Sequence, residues 1–187
     1  MKHFIVFVVT VVIFVEAHET CGVIPISEWG GESSYRKQIL QNPVKLVIIQ
    51  HTESQECNTD DRCQTIAKGI RNYHRFEKGF DDIGPSFLIG GNGKVYEGAG
   101  WNRVGAHTKL YNNRSIGISF MGNFQNKLPT TEALQAAHSL ISCGVTNMYL
   151  SEDYQLVGHQ QVFSTLSPGR ELQAIVKTWP HWVQTVL

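Results

Sequence analysis

Neither sign of charge is in excess in this chain. The 16 Lys and Arg residues balance 16 Asp and Glu, for a formal net charge of zero. Without a basic surplus there is no electrostatic footprint for a phosphodiester backbone, which excludes nucleic acid as the main partner. Long hydrophobic runs are missing after residue 15, and no apolar anchor tail stands at the C-terminal end, so no membrane span is expected. Repeats, low-complexity tracts and internal linkers are also absent, which makes one domain the economical reading. The 187 residues suffice for one sizeable core and fall short of two, and 42% hydrophobic content speaks against disorder or a fibre.

The N-terminus is informative. Lys2 and His3 precede an apolar run over residues 4–15, followed by Glu16 and Ala17. The run is too short for a mature spanning helix, and Ala17 suits the small position before a cleavage site. A buried strand is the alternative. Residues 1–17 are read as a signal peptide and 18–187 as the domain, with the mature protein secreted and extracellular. Secretion makes the four cysteines competent to pair, and four allow three pairings. Cys57 and Cys63, separated by five polar residues, form the easy local bridge. That leaves Cys21 with Cys143, a long loop whose closure constrains the unfolded chain by roughly 4 kcal/mol. A free reactive thiol is the alternative.

Residues 45–50 (KLVIIQ) read as a buried strand. A helix capped by Asp60 or Asp61 runs to about residue 77, with Ile66, Ile70 and Tyr73 as its apolar stripe and Gly79 as its stop. Strands at 86–89 and 95–96 flank the turn Gly91-Asn92-Gly93, and another covers 115–121. Thr130 caps a helix over 131–143, 156–158 make a short last strand, and 171–179 a final helix. Alternation with hairpin signals gives an α/β domain: a central mixed β-sheet flanked by helices.

Five stretches stand in a telling order: VIIQHT at 47–52, DIGPSFLIG at 82–90, GAHT at 105–108 with SIGISFMGNF at 115–124, VGHQ at 157–160 leading to SPG at 167–169, and WPHW at 179–182. Together they make the chain resemble a short, secreted peptidoglycan recognition protein of the insect type, from about Ile24 to Trp182. The resemblance implies a single domain of the type 2 amidase-like fold, shared with zinc-dependent N-acetylmuramoyl-L-alanine amidases, and two disulfides.

In the enzymatic members, the resemblance implies, zinc is held by a His ending the first core strand, a His in the last strand and a Cys before Pro-Gly, with a Tyr assisting. At those positions this chain has Gln50, His159 and Ser167, with Pro85 at the Tyr position. Catalytic zinc needs three protein ligands and an open position for water. Gln is a poor ligand and a neutral Ser hydroxyl lacks the charge and softness of a thiolate, so no zinc, no other cofactor and no amidase activity are expected. His51 cannot simply replace position 50, because successive strand residues point to opposite faces, but strand ends relax that rule, so a hydrolase with a rearranged metal site is one alternative. A Ser167–His159 hydrolase, with Thr165 nearby, is another; it needs an acid to orient His159 and an oxyanion hole, neither of which the sequence identifies.

The resemblance places His51, Thr52, His74, Lys78, His107, Asn112 and His159 along a peptidoglycan-binding groove, with Gly79 and Phe80 at a dipeptide tied to stem recognition. His, Thr and Asn suit the amides, hydroxyls and carboxylates of a muropeptide. Lys78 could pair with a carboxylate, although a cation is favoured at a helix end anyway. Trp101 is placed either against sugar or in the core. Gly79-Phe80, and Asn113 where diaminopimelate-binding members carry Arg, lean toward lysine-type stems, unless a one-residue shift brings Arg114 into use. Asn113-Arg114-Ser115 is an N-glycosylation sequon beside the groove. The expected role is a pattern-recognition receptor that binds bacterial peptidoglycan. It would act with other extracellular immune recognition proteins and serine proteases in a protease cascade leading to Toll-type signalling. A decoy that binds protein partners but no muropeptide is a third class.

Overall fold

The computed structural model describes residues 20–33 and 38–186; the signal-peptide reading lies outside them. Six strands form one sheet: β1 (Val23–Ile24), β2 (Val44–His51), β3 (Phe87–Ile89), β4 (Val95–Glu97), β5 (Ile116–Phe120) and β6 (Leu150–Gly158). Their order is β1-β4-β3-β5-β2-β6. Only β3 and β4 pair antiparallel, as the Asn-Gly turn between them requires; the other pairings are parallel. The sheet is therefore mixed, as expected.

Both faces are covered. Phe87 and Ile89 of β3 join Val47 and Ile49 of β2, Ile118 of β5 and Leu156 of β6 in one core cluster. Against it pack α3 (Thr131–Thr146), through Ala137 and Leu140, and α4 (Arg170–Val176), through Leu172 and Val176. Leu88, between Phe87 and Ile89, faces the other way. It meets Tyr96, Met121 and Ile83 under α1 (Ile26–Trp29) and α2 (Asp60–Asn72). The period of two along each strand thus sorts one sequence into two cores, giving a three-layer domain.

Several boundaries differ from expectation. Thr59 caps α2, its hydroxyl accepting from Arg62 N; Asp60 and Asp61 fill the first turn, where carboxylates favour the helix dipole. The core-facing residues of α2 are Cys63, Ala67 and Arg71, so the stripe of Ile66, Ile70 and Tyr73 is left half-buried or exposed beside a cleft. After α2 the chain widens into a π turn, Tyr73–Glu77, and Gly79 leaves it at φ 67°, a conformation glycine adopts without penalty. Thr130 caps α3 as read, accepting from Ala133 N at 3.1 Å. β6 starts six residues earlier than expected, because the polar Ser151, Glu152 and Asp153 belong to an edge strand, where charge protects the open edge. Both disulfides form, Cys57–Cys63 and Cys21–Cys143, and no described cysteine is free. No described helix is long and apolar enough to cross a membrane.

A cleft at the strand ends

Where β2 and β5 run out at their C-terminal ends, the chain turns away and leaves a cleft of about 620 Å³, walled on one side by α2 and the π turn. Open α/β sheets characteristically bind ligands at this end of their strands. The cleft gathers ten of the sequence-selected residues: Gln50, His51, Thr52, His74, Lys78, Phe80, Pro85, His107, His159 and Ser167.

Gln50 is fully engaged. Its Nε2 donates to Thr108 Oγ1 at 3.0 Å and to the His107 carbonyl at 3.3 Å, and its Oε1 accepts from Ser119 Oγ at 3.0 Å. Parallel pairing of β2 with β5 sets Gln50 opposite Ser119, which is why these two meet. His51, one residue on, turns to the opposite face: its Nδ1 accepts from Phe124 N at 3.2 Å, within the α3 layer. Its backbone N–H donates to Ser167 Oγ at 3.0 Å, so that hydroxyl serves as an acceptor. Ser167 N in turn donates to Thr165 Oγ1 at 3.2 Å.

His107 and His159 are held neutral. Burial, then the nearby His159, bring the His107 imidazole down to about 3. Burial, then His51, bring His159 down to about 4. His107 lies over β5 because Gly117 has no side chain; a Cβ there would come within 2.5 Å of the ring. Its Nδ1 bonds Thr108 Oγ1 at 3.1 Å while Nε2 is buried with no hydrogen-bond partner among the described residues. His159 stacks on Phe163, centroids 5.5 Å apart at 13°, and its Nε2 is likewise without a partner. Each neutral ring presents one donor and one acceptor nitrogen, so the two orphaned nitrogens can meet either an amide N–H or a carbonyl. His74 Nδ1 accepts from Gly84 N at 3.0 Å, and its ring packs 5.5 Å from Phe80, fixing one wall. The Lys78 ammonium lies 5.2 Å from the Tyr73 ring centroid.

Five selected residues fall outside the lining. Gly79 is the turn between Lys78 and Phe80. Trp101 is core: it stacks on Tyr149 with centroids 5.0 Å apart and packs against Phe87, which corrects the sugar-contact reading. Asn112 works from behind, its Oδ1 accepting from His107 N at 2.9 Å and Thr108 N at 2.7 Å, so it positions the cleft residues without lining the cleft. The Arg114 guanidinium lies 4.6 Å from the Tyr111 ring centroid and lines a separate cavity with Asp153, so the one-residue shift does not bring it into the cleft. Asn113 is exposed and lines cavities other than the cleft.

Sequence reasoning missed Glu53, Ser119, Ile66 and Ile70 as cleft residues. For the two isoleucines the periodicity was visible but pointed equally to a buried face. For Glu53 and Ser119 no local signal existed.

Residues 40–170 match the sequence profile of the N-acetylmuramoyl-L-alanine amidase family. A peptidoglycan recognition protein of Trichoplusia ni is 48% identical over 171 residues, 91% of this chain and 94% of its own length. Bumblebee PGRP-SA superposes with a TM-score of 0.86 at 49% identity, covering 88% of this chain and 98% of that one. Human PGRP-IBETAC, solved in complex with glycosamyl muramyl pentapeptide, gives 0.84 at 40% identity, covering 87% and 98%. With the family profile matched over residues 40–170 and nearly half its residues in common with insect relatives over almost their whole length, this chain belongs to the peptidoglycan recognition proteins, within the N-acetylmuramoyl-L-alanine amidase family.

Proposed function

We propose that this protein is a secreted pattern-recognition receptor that holds the stem peptide and adjoining sugar of bacterial peptidoglycan in the strand-end cleft, without cutting it. One observation carries the second half. Of the three positions where the amidases of this fold hold zinc, Gln50 spends both its amide oxygen and nitrogen on Ser119, Thr108 and the His107 carbonyl. Ser167 offers a neutral hydroxyl already accepting from the backbone, and only His159 keeps a free nitrogen. One imidazole is not a zinc site, so these residues do not fit the metal.

The alternative hydrolase draws no support from the geometry. The contact made by Ser167 Oγ is to His51 N rather than to His159, whose Nε2 is unpartnered, so no activated nucleophile is assembled. Binding needs less: orphaned imidazole nitrogens, Thr52, the Lys78 ammonium and the Phe80 ring offer hydrogen bonds, charge and apolar surface in one concavity.

A preference for lysine-type stems is supported by the lining, which contains no arginine to receive the extra carboxylate of diaminopimelate. Secretion accords with two disulfides. Engagement of extracellular recognition proteins and serine proteases, leading to Toll-type signalling, completes the reading.

Calorimetric titration of lysine-type and diaminopimelate-type muropeptides, with metal content measured on the same sample, tests it. Saturable binding without stoichiometric zinc is expected. One tightly held zinc per molecule together with release of stem peptide would overturn it, and no heat with either fragment would favour the decoy class.

A further inference from the structure

Charge in the cleft is sparse. Among its lining residues Glu53 is the one carboxylate and Lys78 the one ammonium, on different elements. The fold makes little use of Glu53. Its side chain is 61% exposed, and its carboxylate makes no hydrogen bond among the described residues; His51 Nε2, itself unpartnered, lies 3.8 Å away.

The backbone nevertheless holds Glu53 in a costly conformation. Its φ is 54°, in the left-handed region that a residue with a Cβ seldom enters. The neighbours enforce it. Thr52 N donates to the Phe120 carbonyl at 3.0 Å, Thr52 Oγ1 accepts from Gly122 N at 3.1 Å, and the same hydroxyl pairs with Ser54 Oγ at 2.8 Å. Strain that stabilises nothing local is characteristic of positions kept for a ligand.

A carboxylate at an open cleft recognises a cation. We infer that Glu53 is a specificity-determining residue of the cleft, receiving the free ammonium of the ligand. Resting on the receptor reading above, that ammonium is the lysine side chain of a lysine-type stem. Diaminopimelate carries a carboxylate on the carbon that bears this ammonium. The added negative charge stands against Glu53, and like charges brought together disfavour the complex.

The test uses the mature protein and three soluble probes: muramyl tripeptide ending in L-lysine, the same with diaminopimelate, and the lysine form acetylated on its ε-nitrogen. Two variants are compared with wild type, Glu53→Gln and Glu53→Asn, the second because Asn tolerates left-handed backbone. Wild type should bind the lysine probe most tightly. Each variant should weaken that probe about two- to fivefold, the range for a solvent-exposed ion pair, with the loss shrinking in high salt. Both should leave the acetylated probe unchanged and bind diaminopimelate as well as or better than wild type. Equal effects on the lysine and acetylated probes, or no effect on either, would overturn the role of Glu53 while leaving the receptor reading intact. A wild type that binds none of the three overturns the receptor reading, and this assignment with it.

Discussion

At residue scale the decisive group is Gln50. Its side chain satisfies three neighbours where a histidine would present one lone pair, making a hydrogen-bonded strut between β2, β5 and the Thr108 loop at the position that the proposed reading takes as a metal-ligand position in the amidases. The count of donors predicts its own reversal. Gln50→His with Ser167→Cys restores two ligands beside His159, whose depressed pKa keeps its nitrogen unprotonated. The double variant should retain close to one zinc per molecule by atomic spectroscopy, and each single variant should not. A second residue-scale prediction follows from the buried imidazoles. His107 and His159 fall from the ordinary 6.5 to about 3 and about 4. The unfolded chain therefore binds more protons than the folded one below pH 6.5. The stability they contribute is complete above that pH, declines progressively below it, and is fully lost once pH has fallen past about 4 for His159 and about 3 for His107. Urea denaturation at pH 7, 6 and 5 should show stability declining, and His107→Asn should reduce the slope.

At the scale of elements, the cleft wall at 82–85 depends on a buried ion pair. Arg71 of α2 donates from Nε to Asp82 Oδ1 at 2.6 Å and from Nη2 to Oδ2 at 2.9 Å. It also holds the Gly30 and Glu32 carbonyls, while Asp82 Oδ1 accepts from Ile83 N. One guanidinium thus ties α2, the segment after α1 and the wall that carries Gly84 and Pro85. Arg71→Ala strands a buried carboxylate and should cost about 3–5 kcal/mol by urea denaturation. It should also weaken muropeptide binding, because Gly84 N–H, the partner of His74, loses its support. The same helix shows what periodicity can and cannot tell. Spacing of Ile66, Ile70 and Tyr73 announced an apolar face, but α2 has two such faces. The one built from Cys63 and Ala67 goes to the core because small side chains allow close approach.

For the whole molecule, the two bridges do different work. Cys21–Cys143 spans 122 residues and joins the N-terminal arm to α3; Cys57–Cys63 spans 6 and stiffens the lead into α2. Loop-closure entropy grows with the logarithm of loop length. Replacing both cysteines of the long bridge by Ser should therefore cost about 2.7 kcal/mol more than the same change at the short one, read from thermal melts of the two double variants.

Much of this was legible beforehand. Buried strands betrayed themselves as apolar runs, Thr130 as a cap, and the ordered motifs as a family. The proposed absence of zinc rests on residue identity at motif positions, Gln50 and Ser167 above all, and so is argued from the sequence without coordinates. Pairing across the sheet, however, joins residues far apart in sequence: Gln50 with Ser119, His51 with Phe124, Trp101 with Tyr149. No local pattern could say that Trp101 turns inward, that Arg114 folds over Tyr111 away from the cleft, or that Glu53 is lifted into it. Those outcomes were left to the tertiary structure, because the direction of a side chain at a strand end or in a loop is set by long-range register and packing rather than by its neighbours in the chain.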